Sequence, residues 1–323
     1  MTQSLAVALS GVLLLFLDYA PTNGSSYYVL IEAGEYVGGP ECCKYDNPFA
    51  TASANGIVHG YTANGNTYLI VNGTDVNQVL AQALDTGLDK DSSTDSLDHC
   101  GAWLNSVHYD GHVFRGFYHE EWRCDYAKNF YTNKSIAYAE SEDGVHFTKP
   151  GHPHNVIISA PNTTTGHQTG QGDHGSVVVE DFYYLYYRDW ATWRIGLARS
   201  PVSSGGKPGT WMKYYNNEFS EPGIRGQSSG IGAGNLTGTA VYRLSTLGAL
   251  VAVGEGSPTL SFSPDGLRWL RMKMPLIHTD ESQWNRTLAK GVFLGLSCVS
   301  GSDFRRKRPN QPLLSLLYLP RAT

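Results

Sequence analysis

Ser141-Glu-Asp-Gly-Val-His-Phe147 returns further along the chain as Ser263-Pro-Asp-Gly-Leu-Arg-Trp269, with Ser, Asp-Gly and a large aromatic at the same spacing. Alone, such a stretch is a good β-turn, because Asp offers a side-chain acceptor and Gly tolerates positive φ. Found twice in register, it marks a structural repeat. Each copy follows a strand of small residues, and each such strand follows a hairpin. Ser200 to Trp211 is a looser copy with a longer turn. Hairpin turns recur near Asn55, Asp110, Asp181, Gly248 and Gly301, roughly 50–70 residues apart. Five units of about four strands each, with no convincing amphipathic helix, predict an all-β five-bladed β-propeller whose four-stranded antiparallel blades surround a central channel. A sandwich has fewer strands, and a parallel β-helix has shorter repeats. The run at 25–33 is expected to complete the last blade and close the ring. Residues 76–84 read as a strand or a helical turn, 85–98 as a solvated loop, and 150–172 as a long connection.

Composition fits this reading. The chain has 323 residues, of which 16% are charged, below the usual quarter, and it carries 36 Gly, 20 Tyr and 7 Trp. We read residues 25–323 as one domain. The net charge is −5 with no sustained basic face, which excludes the Lys/Arg footprint of a nucleic-acid binder. The basic run Arg305 to Arg308 reads as a solvated loop. Abundant Tyr and Trp with few charges suit sugar binding, although the same residues are ordinary strand formers.

The apolar run Leu5 to Leu17 has the length of a signal peptide rather than of a membrane span, so residues 1–24 are read as a removable leader and the protein as secreted. Nothing else is long enough for stable membrane insertion. Six Asn-x-Ser/Thr sequons, at Asn23, Asn72, Asn133, Asn162, Asn235 and Asn285, point the same way. Of the five cysteines, Cys42, Cys43, Cys100, Cys124 and Cys298, the pair Cys100 and Cys124 flanks one hairpin and could be bridged across it. No cysteine or histidine spacing is that of a zinc site.

That hairpin, Trp103 to Glu121 (WLNSVHYDGHVFRGFYHEE), turns at Asp110-Gly111 and ends in His119-Glu120-Glu121. A charged cluster closing an aromatic strand is costly if merely buried, which marks it as a candidate site. Glu121 is expected to be solvated or paired with Arg123.

The run from Gly172-Asp173-His174 through Val177 to Tyr183-Tyr-Leu-Tyr-Tyr187, set between the two Asp-Gly-aromatic turns, resembles the five-bladed propeller glycosidases of the glycoside hydrolase family 43-like superfamily. These include arabinanases, xylosidases, fructosidases and anhydrogalactosidases. The resemblance extends over residues 45–320 in architecture and is specific around 103–189. It implies three carboxylates at the inner ends of different blades: a general base, a general acid, and one that tunes the acid. Asp46 resembles the early Asp-Pro base position, although Asn47 intervenes before Pro48. Asp173 resembles the Asp of a later Asp-Pro turn, with His174 replacing the Pro. The superfamily acid lies in a Glu-Gly-Pro turn. Glu255-Gly-Ser-Pro258 matches it with one extra residue, and Glu120, read as ending the second blade's inner strand, competes for the role. Expected sugar contacts are Asn105, His119, His174, Arg188, Asp189 and Trp284.

The reading is therefore a secreted, monomeric glycoside hydrolase acting on a poly- or oligosaccharide. No cofactor is required, and a structural divalent cation is allowed in the channel. Two rivals stand beside it. One is a sugar lyase using His119 or His174 with a Tyr as base. The other is a carbohydrate-binding propeller without chemistry.

Overall fold

The alternation of β-branched and aromatic residues with Gly, Asn and Asp turns folds into strands throughout. The computed structural model describes residues 7–9, 12–17, 27–32, 50–74, 78–93, 96–125, 131–161, 168–231, 240–244, 249–253 and 260–271. Among these residues no helix is long and apolar enough to cross a membrane. The strands are β1 (Val7–Leu9), β2 (Val12–Leu17), β3 (Tyr27–Glu32), β4 (Ala50–Ala54), β5 (Ile57–Asn64), β6 (Asn66–Gly73), β7 (Val79–Asp85), β8 (Gly101–Tyr109), β9 (Phe114–Asp125), β10 (Tyr131–Ser141), β11 (Val156–Ile158), β12 (Gln168–Val179), β13 (Phe182–Asp189), β14 (Arg194–Pro201), β15 (Met212–Tyr215), β16 (Glu218–Pro222), β17 (Ala240–Leu244), β18 (Ala249–Val253), β19 (Leu260–Ser263) and β20 (Leu270–Arg271).

Strands β4 to β7 and β17 to β20 each form a four-stranded antiparallel meander. Between them, β8 to β11 make a second unit and β12 to β16 a third. A short parallel pairing of Thr132–Lys134 with Gln168–Gly170 fuses these two into one nine-stranded sheet. The first strands of successive units are neighbours: β4 lies beside β8, β8 beside β12, and β12 beside β17. This is the order expected of inner strands around an axis. The region 76–84 is a strand, and β3 pairs with β2 rather than with any of these units among the described residues.

The repeat seen in the sequence is repeated in three dimensions. In the first copy, Ser141 Oγ accepts the Gly144 N–H at 2.9 Å, and Asp143 Oδ1 accepts the N–H groups of Val145 and His146. In the second, Ser263 Oγ accepts Gly266 N–H at 2.7 Å, and Asp265 Oδ1 accepts Leu267 and Arg268. Each turn is also gripped by the preceding unit. Tyr61 on β5 donates to Gly144 O at 2.7 Å, and Tyr186 on β13 donates to Gly266 O at 3.0 Å. Their rings meet Phe147 and Trp269 edge-on, at 5.5 Å in both cases. Phe117 on β9 meets Trp211 of the looser copy in the same way, at 5.1 Å. Three successive junctions therefore use one contact, which means that neighbouring units are related by one recurring displacement.

Two expectations change. The segment 85–98 is not simply solvated: Thr86, Leu88, Ser96 and Asp98 are buried, and Thr67 N–H donates to Leu88 O, so the segment packs against the first unit. The connection at 150–172 carries its own buried strand, Val156–Ile158, paired with β10.

Candidate active site

The candidate residues converge where β9, β10, β12 and β13 meet. In the β12–β13 ladder, Gly172 pairs with Arg188 and His174 with Tyr187, so Asp173 is the extra residue of a β-bulge, at φ +40°. Bulges bend a strand and re-aim a side chain, and they gather near active sites. Gly172 leaves the room for this, since a Cβ there would lie 2.6 Å from the His119 ring.

His119 is buried between two carboxylates. Its Nε2 lies 3.0 Å from Glu121 Oε1 and its Nδ1 3.2 Å from Asp173 Oδ1. Burial works against the charged ring, but the hydrogen bonds and charges of Asp173 and Glu121 outweigh it and raise the pKa to about 9. The backbone N–H of Asp173 stands 2.8 Å from the same Nδ1. A protonated ring donates there to the carboxylate, and a neutral ring would accept the amide instead. Asp173 is held below the usual carboxylate range: burial alone would raise it, but His119, then Arg188 and Lys134, hold it ionised. Arg188 Nη1 is 3.7 Å from Asp173 Oδ2. Glu121 pairs with His119 and, at 3.1 Å, with Lys134, not with Arg123, which stacks on Trp122.

Glu120 points the other way, as successive residues on a strand must. It sits on β9, the second strand of its unit, whereas the first strand, β8, lies beside β4 and β12. The carboxyl is fully buried. Ser135 Oγ donates to Oε1 at 2.5 Å, and Oε2 has no partner among the described residues. Burial, with the Asp98 charge added, pushes its pKa up to about 7 against the opposing bond from Ser135. Asp98 is itself paired with Lys149 at 2.5 Å and lies 3.3 Å from His152.

The remaining candidates are placed as follows. His174 is fully buried, bonded through Nε2 to Phe117 O at 3.0 Å, and burial lowers its pKa to about 3, so the ring is neutral and its Nε2 carries the proton. Asn105 is buried at a bulge in β8. Asp189 Oδ1 accepts the N–H groups of Ala191 and Thr192, and its Oδ2 accepts Gln171 Nε2 at 3.0 Å. Asp46, Glu255 and Trp284 lie outside the described residues. The structure thus brings together Asp173, His119 and Arg188, with Asp189 two residues from the bulge in register, and separates Glu120 from them by the thickness of a strand.

Sequence reasoning missed Lys134, which bridges Glu121 and the Trp190 ring at 4.4 Å from its centroid. It gives no local signal, because its partners lie on other strands. A metal could be asked of Asp91, Asp98 and His152, whose ligand atoms lie within 4.8 Å of one another. There the Lys149 ammonium already serves as counter-ion to Asp98. The disulfide joins Cys100 to Cys124, with Cα atoms 5.9 Å apart, and ties the start of β8 to the end of β9, where Cys100 N–H donates to Glu121 O at 2.8 Å.

No family model matches the chain, and no curated protein matches it. Solved structures do match. One is described as a glycoside hydrolase, at 11% identity over 86% of this chain and 89% of that one, with a TM-score of 0.45. Another is a thermostable family 43 glycoside hydrolase, at 11% identity over 77% and 78%, TM-score 0.48. A third is a Bombyx mori family 32 β-fructofuranosidase, at 13% identity over 77% of this chain, TM-score 0.47; the chain spans 51% of its length. All three of these solved structures are described as glycoside hydrolases or as a β-fructofuranosidase of a glycoside hydrolase family.

Proposed function

We propose that the protein is a secreted glycoside hydrolase, a closed five-bladed propeller that cleaves a poly- or oligosaccharide with carboxylates from different blades. The observation that carries this reading is Asp173: an ionised carboxylate at a bulge on an inner strand, oriented by His119 and Arg188. Glycosidic cleavage needs one carboxyl that donates a proton and one that stays ionised to activate water or attack the sugar. Asp173 has the environment of an ionised member. Asp46 is assigned as general base by its motif. The acid is Glu120 or Glu255. Glu120 has a suitable pKa near 7, but its carboxyl is sealed on the far face of β9. Glu255 has only its motif.

His119 and His174 act in this reading as positioning residues rather than sugar contacts, because both are buried. The same burial removes support from a lyase using either as base. The Cys100–Cys124 bridge suits an oxidising compartment, and the sequon at Asn72 is exposed, both in keeping with secretion.

The test is an incubation of the secreted protein with plant, algal and fungal glycans, read by chromatography with mass detection, followed by Asp173→Asn, Asp46→Asn, Glu120→Gln and Glu255→Gln. Hydrolysis products that fall by at least about a hundred-fold in Asp173→Asn, and in one of the two glutamate variants, are expected. Full activity in Asp173→Asn would end the assignment. Saturable binding with no product at any pH would leave a carbohydrate-binding propeller.

A further inference from the structure

The loop joining β13 to β14 is Trp190-Ala191-Thr192-Trp193, and it lies level with the Asp173 bulge, because Asp189 pairs with Gln171 on one side and Arg194 on the other. Trp193 is 64% exposed, the most exposed of the large apolar side chains among the described residues. It also holds a positive φ of 56°, a conformation that a bulky residue adopts only against steric resistance. An exposed indole in a strained turn gains nothing from water. What holds it is the layer beneath. Its ring meets Trp190 at 5.2 Å and 63°, and the Arg188 guanidinium lies over both indoles, 4.6 Å from the Trp190 centroid and 5.3 Å from that of Trp193. Lys134 covers Trp190 at 4.4 Å. Asp189 Oδ1 fixes the loop by accepting Ala191 N–H, Thr192 N–H and Thr192 Oγ1–H. The Trp190 indole N–H, although buried, has no acceptor among the described residues.

A single exposed apolar residue is ordinary. Here it is different, because the same guanidinium that supports Trp193 reaches Asp173 Oδ2 at 3.7 Å. One cation therefore links an open aromatic face to an ionised carboxylate. Aromatic faces accept the apolar C–H face of a sugar ring, while charged and amide-like groups at its edge bond the hydroxyls. We infer that the Trp190–Trp193 loop is a sugar-stacking platform, taking the glycosyl unit next to the one bound at Asp173, with Trp193 as the stacking face and Arg188 as the link between the two units. This rests on the glycosidase reading and adds the requirement that the ligand be an oligosaccharide of at least two units.

The experiment uses the full secreted chain with xylo-, arabino-, fructo- and agaro-oligosaccharides of two to six units. It compares the parent with Trp193→Ala, Trp193→Phe and Asp173→Asn, and adds the aryl glycoside of whichever sugar is cleaved. Binding is read by indole fluorescence and titration calorimetry, and turnover by KM and kcat. Trp193→Ala is expected to weaken the oligosaccharide by about ten-fold in Kd and KM while leaving kcat unchanged, and the aryl glycoside, whose aromatic aglycone takes the same face, should weaken with it; Trp193→Phe should restore most of both losses. An unchanged Kd and KM in Trp193→Ala on every bound oligosaccharide overturns the platform, as does the absence of binding to any of the four series. Unaltered turnover in Asp173→Asn would instead end the glycosidase reading, whatever Trp193 does. A melting curve matching the parent's shows that the Trp193 variants are folded.

Discussion

His119 and Glu120 are neighbours on one strand, and each keeps its proton to a higher pH than an ordinary His or Glu does. The cause differs on the two faces of β9. His119 meets two carboxylates and is held charged, with a pKa of about 9 against an ordinary 6.5. Glu120 meets apolar surroundings and Asp98, and its pKa rises to about 7 from an ordinary 4.5. Between pH 4.5 and 7 the folded chain keeps a proton on Glu120 that the unfolded chain has released, so stability falls as pH rises through this window. Above pH 7 the full penalty stands, on the order of 3 kcal/mol. Glu120→Gln removes it while keeping an acceptor for Ser135. The variant should therefore be more stable than the parent at pH 8 and no more stable at pH 4, as denaturant unfolding at pH 4, 6 and 8 would show. His119 contributes with the same sign in a higher window: its stabilisation is complete below pH 6.5 and is lost as pH rises through about 9. The decline between pH 7 and 9 should then survive in Glu120→Gln. If the variant loses stability at pH 8, the folded surroundings favour the carboxylate over a neutral group and the upward shift of Glu120 is wrong.

The Ser-x-Asp-Gly-x-x-aromatic turn shows how far a local pattern reaches. Its hydrogen bonds join residues two or three apart, so the sequence alone implies them, and Gly144 and Gly266 both take φ near +75° as the pattern requires (+73° and +77°). What grips the turn from the preceding unit is also a matter of geometry. A Cβ on Gly144 would stand 2.8 Å from His59 of the preceding unit and 2.7 Å from the Phe114 ring of its own, whereas one on Gly111, at the β8–β9 turn, would meet nothing within 4 Å. Both glycines have positive φ, so Gly111→Ala measures the backbone penalty alone, about 1 kcal/mol. Gly144→Ala adds the clash and should cost about 2 kcal/mol more. Equal losses in the two variants would mean that the junction yields freely and that the repeated contact is not a rigid one. Elsewhere locality fails. Strand order within a unit is encoded by no residue pattern, and Glu120, expected on the inner strand, lies on β9, the second strand of its unit. The 54 residues between His119 and Asp173, and the parallel joint between β10 and β12, are likewise invisible until the sheets assemble. Asp173 itself was legible from its motif. The packing of Trp190 and Trp193 against Arg188 is set by the β13–β14 turn, and no motif marks it in the sequence.

At the scale of the whole molecule, one contact repeated at three junctions constrains shape more than any single bond does. Tyr61 on Phe147, Phe117 on Trp211 and Tyr186 on Trp269 set each unit against the next at nearly the same ring distance, 5.5, 5.1 and 5.5 Å. A displacement applied repeatedly generates either an arc with two bare apolar ends or a ring that covers them. An arc would leave the first unit covered only on the side where Ala52, Tyr61 and Leu69 pack against the second unit. The proposal of a closed five-bladed ring thus predicts a size and a cooperativity. A single compact domain of this length has a radius of gyration of about 20 Å, and the covered interfaces should make it unfold in one transition. Small-angle scattering of the secreted chain, together with calorimetry, reads both. Tyr61→Phe and Tyr186→Phe, each removing one junction hydrogen bond worth about 1 kcal/mol, should lower that same single transition to a similar extent. A radius well above 20 Å, or a Tyr186→Phe variant that splits the melt in two while Tyr61→Phe does not, would show units that fold and open independently, and the ring would have to be given up in favour of an open array.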